Sequence, residues 1–100
     1  MKEPIYLDES FRKVCEEMVE IFIKKHKDYG KGNILGTGEL GIAFRISDKL
    51  NRIQHLLTNH KEPQNETMED NWIDIAVYAV IGILFRRGWF QKLDLKQKKT

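Results

Sequence analysis

The chain has 100 residues, enough for one small hydrophobic core, and burial by self-association would help so short a chain. Charged residues reach 32% while the formal net charge is only +2, so both signs are mixed over the surface and no nucleic-acid partner is expected. Its single cysteine, Cys15, excludes an internal disulfide. The opening MKEPIYLDES lacks the uninterrupted apolar stretch of an export signal, so a cytoplasmic address is expected.

The first predicted element is a helix over 8–27. Phe11, Val14, Cys15, Met18 and Phe22 recur there at helical spacing, and Asp8 or Ser10 can cap its start. Residues 28–41 hold five of the seven glycines and read as a glycine-rich loop. A second helix is predicted over 42–57, with Ile42, Ile46, Leu50, Ile53 and Leu57 in one stripe. A polar connector follows. The core helix is predicted over 65–87, capped by Asn65 or Thr67 and stopped by Gly88. Its nearly apolar run from Trp72 to Phe85 is shorter than the roughly 20 residues a bilayer requires, so no membrane partner is expected. Trp89 and Phe90 should fold back before a basic tail over 91–100, whose Lys92, Lys96, Lys98 and Lys99 read as a solvated end. The expectation is one all-α domain over 1–100, a bundle of three to four main helices completed as a homodimer or homotetramer.

The strongest chemical signal is Asp74, the one charged residue in WIDIAVYAVIGILF. A buried carboxylate needs a cation, either a metal or a basic side chain. Glu66 and Asp70 precede it at steps of four, which in a continuous helix sets all three on one stripe. Stacked acids of this kind suit Mg²⁺ or Mn²⁺. The alternative makes Glu66, Glu69 and Asp70 first-turn acids that favour the helix dipole, with Asp74 in a structural salt bridge. In RISDKLNR, the residues Arg45, Asp48, Lys49 and Arg52 share one polar arc beside the apolar stripe. That arc suits the phosphates of a metal-bound triphosphate, or else is a solvated face with local ion pairs. Lys25 points toward the apolar side of the first helix and either snorkels or reaches the site. The glycine-rich segment lacks the order of a P-loop, and His26, His55 and His60 show no metal-ligand spacing.

KKHKDYG, RISDKLNRI and ETMEDNWIDIAVYA, in that order, resemble the nucleotide-modification-associated helical family, related to MazG-like pyrophosphohydrolases. The similarity spans most of residues 20–88. It implies an α-helical fold, usually dimeric or tetrameric, that splits nucleoside triphosphates into monophosphate and pyrophosphate with Mg²⁺. The ExxD aspartate of that pattern matches Asp74, while its glutamate position falls on Asn71 with Asp70 alongside. The EExxE cluster belongs to the helix before, where this chain has Asp48, Lys49 and Arg52. The EEMVE of the first helix is a decoy, because Glu17 and Glu20 fall among Lys13 and Lys24 on the polar side.

The resulting expectation is hydrolysis of a (deoxy)nucleoside triphosphate. Asp70 and Asp74 would be catalytic, and Asp48, Glu66, Asp70 and Asp74 would hold Mg²⁺ or Mn²⁺. Lys25, Arg45, Lys49 and Arg52 would neutralise phosphates, and Tyr29 or Trp72 would stack on the base or else serve the core. The alternatives are a nucleotide-binding or assembly module without turnover, and a plain helical packing domain.

Overall fold

A computed structural model describes residues 3–64 and 66–96. They are helical and contain no strand, and none of their helices is long and apolar enough to cross a membrane. The chain divides into two compact units, residues 1–30 and 31–100.

The first unit is built on α1, Leu7–Tyr29. It starts one residue before the expected Asp8, with Tyr6 at the cap position and no side-chain cap. Ser10 instead donates from its hydroxyl to the Leu7 carbonyl, 2.6 Å away. The helix runs on to Tyr29 and ends at Gly30, whose φ of 65° supplies the left-handed geometry that glycine adopts without strain. No residue of α1 is buried.

The second unit holds α2 (Gly32–Thr58), α3 (Met68–Arg86) and the short α4 (Trp89–Lys92). The glycine-rich segment is therefore a correction to the sequence reading. Residues 28–41 are mostly helical, and α2 begins ten residues before the expected Ile42. Glycine lowers helix propensity by only about 1 kcal/mol per residue, and here Ile34 and Ile42 each bury an apolar side chain in return. The one real interruption is Gly38, at φ 67° and ψ −160°, which kinks α2. The kink lets Arg45 donate from Nη2 to the Asn33 carbonyl at 3.3 Å. In unbroken helix twelve residues would separate the two by about 18 Å.

α2 and α3 run antiparallel, because the contacts Glu39–Arg86, Arg45–Tyr78, Lys49–Asp74 and Arg52–Glu66 pair ascending with descending numbers. Between them lie Ile42, Ile53, Leu56 and Ile81; of the two aromatics expected to fold back, Phe90 of α4 joins this core whereas Trp89 stays 46% exposed. Leu50 and Leu57, placed on the buried stripe by sequence, are exposed, since the line of contact drifts through Ile53 and Leu56. α3 opens with a capping box. Thr67 accepts from the Asp70 amide, and the Asp70 carboxylate accepts from the Thr67 amide. Gly88, in the left-handed region at φ 74°, ends the helix. Lys98 and Lys99 of the expected tail lie outside the described residues, as does Asn65.

Candidate functional site

The antiparallel register brings oppositely charged side chains together across α2 and α3. Lys49 places its Nζ 3.0 Å from Asp74 Oδ2 and 3.7 Å from Glu66 Oε2. Arg52 reaches Glu66 Oε1 at 2.5 Å and Asp48 Oδ2 at 3.7 Å. The inner members are well shielded, with Asp74 and Lys49 side chains 15% and 19% exposed, whereas Asp48 stays 72% exposed. One turn along, the Arg45 guanidinium stands 6.0 Å from the Tyr78 ring centroid, and its Nη1 is buried without a hydrogen-bond partner among the described residues. The cluster thus presents cations and carboxylates side by side in a partly desolvated strip.

Several sequence candidates take other roles. The stripe of Glu66, Asp70 and Asp74 does not form, because α3 starts at Met68 and Glu66 precedes its cap. From that position before the cap Glu66 turns to Lys49 and Arg52, while Asp70 is exposed and folded back on Thr67. Among the described residues no group of three or more His, Cys, Asp or Glu side chains converges to hold a metal ion. The donor set therefore does not fit a resident Mg²⁺ or Mn²⁺: its two inner carboxylates converge on an ammonium. Trp72 is 51% exposed, but it lies two residues from Asp74 and hence about 200° away around α3. Lys25 and Tyr29 belong to the first unit, both exposed on α1.

Asn71, which the sequence reading gave only as a departure at the glutamate position of the ExxD pattern, has a role in the packing that was not anticipated. It is fully buried, donates from Nδ2 to the Thr67 carbonyl at 3.3 Å, and leaves Oδ1 without a partner among the described residues. A buried amide oxygen left unpaired costs about 1–3 kcal/mol. The signal was available in the sequence, as an asparagine three positions before Asp74 at the edge of the apolar run that begins at Trp72.

Fold and site together define an all-α domain whose two antiparallel helices carry a shielded strip of mixed charge. The model of the family described as nucleotide modification associated domain 1 matches residues 25–85, more than half of the chain, and the chain belongs to that family. No curated protein and no solved structure matches it.

Proposed function

We propose that this chain binds a nucleoside or deoxynucleoside triphosphate at the α2–α3 strip and cleaves it to monophosphate and pyrophosphate. The observation that carries the reading is Lys49 held between Asp74 and Glu66, with Arg52 closing the row. A triphosphate travels with Mg²⁺ as its counter-ion, so the substrate itself brings both signs of charge. Exchange of partners then conserves every pairing: Lys49 and Arg52 turn to phosphate oxygens, and Glu66 and Asp74 face the cation that arrives with them. Arg45, a turn away on the same side of α2, extends the positive row. Cleavage adds water at the α-phosphorus as the bond to the β-phosphate oxygen breaks and pyrophosphate leaves. A carboxylate released from Lys49 is placed to take the water proton.

A second reading, binding without turnover, is favoured by the lack of a three-acid group among the described residues. The two share the binding step and separate at the chemistry. A panel of nucleotides incubated with the protein and Mg²⁺, with Mn²⁺ in parallel, tests them by release of pyrophosphate. Equal yields of monophosphate and pyrophosphate from at least one nucleotide are expected. Saturable binding with no product selects the second reading, and neither binding nor product refutes both.

A further inference from the structure

Of the three cations in the positive row, Lys49 and Arg52 are matched by carboxylates and Arg45 is matched by a neutral group. Its Nη2 donates to the Asn33 carbonyl at 3.3 Å, and its guanidinium carbon stands 6.0 Å from the centroid of the Tyr78 ring. Its Nη1 is buried without a hydrogen-bond partner among the described residues. A charged N–H taken out of water without an acceptor is costly, so Arg45 is held here in an unfavourable state. What holds it is the arm Gly32–Thr37, the part of α2 that precedes the kink at Gly38 and brings the Asn33 carbonyl to the guanidinium.

Three features make this arm movable. Gly38, at φ 67° and ψ −160°, joins it to the rest of α2 through a backbone conformation that glycine takes and leaves without steric cost. The Asn33 carbonyl also accepts from Thr37 Oγ1 at 3.1 Å, a donor carried on the arm itself, so the carbonyl stays paired when Arg45 leaves it. The other end of the arm is tied by Lys31, whose Nζ donates to the Leu93 carbonyl at 2.5 Å and lies 3.3 Å from Asp94 Oδ1. The Asp94 side chain is 91% exposed, which makes the ionic part of that tie weak. Burial of Ile34 supplies the rest of the hold.

We infer that the arm Gly32–Thr37 is a gate on the α2–α3 strip: closed, its Asn33 carbonyl occupies the Arg45 guanidinium, and a phosphate oxygen takes that place when the arm tilts away at Gly38. The inference rests on the strip as the nucleotide site and adds how access to it is controlled. The exchange is chemically favourable. A phosphate oxygen is charged where the carbonyl is neutral, and the oxygens of one phosphate serve Nη1 as well as Nη2 in the planar fork of the guanidinium. A triphosphate therefore binds the open arm better than the closed one and draws the population toward it. The affinity observed is lowered by the fraction of chains that stay closed, so whatever loosens the arm raises it.

The test is calorimetric titration of the full chain with the magnesium complexes of inorganic triphosphate and of the four common deoxynucleoside triphosphates. Parent, Lys31→Met, Arg45→Gln and the double variant are compared, with thermal melts to show that each is folded. Lys31→Met keeps the length of the side chain and removes the tie, and it should tighten binding about fivefold. The sign is decisive, because loss of a positive charge by itself leaves anion binding equal or weaker. Arg45→Gln should weaken binding, and Lys31→Met should bring no gain in that background, since the gate acts through Arg45. Asp94→Asn loosens the same tie from its exposed side and should give a smaller gain in the same direction, which keeps the test open if Lys31→Met does not fold. A parent that binds while neither loosened variant binds more tightly overturns the inference and leaves the proposed function standing. An equal gain from Lys31→Met with and without Arg45 does the same. A parent that binds none of these ligands overturns both.

Discussion

Replacing Asp74 by asparagine separates an ion-pair role from a metal-ligand role more sharply than any other single change. In the ion-pair arrangement the substitution leaves the Lys49 ammonium 3.0 Å from a neutral amide in a strip where its side chain is only 19% exposed. Exposed pairs contribute up to about 1 kcal/mol, while removing one member of a fully buried pair costs about 3–5 kcal/mol. Asp74, at 15% exposure, lies nearer the second limit, but Glu66 remains 3.7 Å from the same ammonium as a second counter-charge. A cost of about 2 kcal/mol is expected, or a fall of about 8–16 °C in Tm for a chain of this size. Urea and thermal melts of the parent, Asp74→Asn, Lys49→Met and the double variant measure it without added metal. The double variant should recover part of the loss, since neither charge is then left alone. An Asp74→Asn protein that melts with or above its parent refutes this account. That result would mean the carboxylate is destabilising without metal, as expected of a vacant ligand crowded by other acids.

Thr67→Ala removes one half of the capping box and should cost about 1 kcal/mol in a denaturant melt while leaving Arg52 and Glu66 in contact. Gly38→Ala meets no clash, since the added Cβ would make only an ordinary contact with Phe85 Cζ at 4.0 Å. Its φ of 67° and ψ of −160° belong to a region other residues avoid, so strain alone should cost about 1–3 kcal/mol. Gly41→Ala fails for the opposite reason. A Cβ there would fall 2.0 Å from Thr37 Oγ1 and 2.4 Å from Thr37 Cβ, so the turn itself must shift and Tm should drop. Equal melting of parent and either glycine variant would show that the kinked start of α2 is not held as described.

The helices that were legible in the sequence are those whose boundaries are written in local chemistry. Thr67 at the start of α3 and Gly88 at its end were both readable, one as a hydroxyl cap and one as a left-handed stop. The start of α2 was not. Five glycines over 30–41 argue for a loop on propensity, and burial of Ile34 and Ile42 in the tertiary structure overrides that. The candidate strip was legible as individual charges but not as an arrangement. Asp74 stood out as a charge within an apolar run, Lys49 and Arg52 as cations beside an apolar stripe and Glu66 as one of three spaced acids, and the register of α2 against α3 brings these four together. Glu66 was placed on a stripe with Asp70 and Asp74 because spacing by four was counted through a helix start, and the Asp70 carboxylate is engaged in capping that start. Arg45 over Tyr78 and the buried Asn71 depend on the kink and on interhelical packing, neither of which a helical wheel contains.

The central claim is that the α2–α3 strip is the nucleotide site, and calorimetric titration of magnesium triphosphates into the parent and into Arg52→Gln tests it most directly. Arg52 is 44% exposed, so its loss should cost the fold less than about 1 kcal/mol and leave a folded protein to titrate. The account predicts saturable binding of at least one magnesium nucleoside triphosphate to the parent, weakened roughly tenfold or more in the variant by the loss of a charge-assisted contact to phosphate. Equal affinity in parent and variant, or a parent that binds no nucleotide, would contradict it.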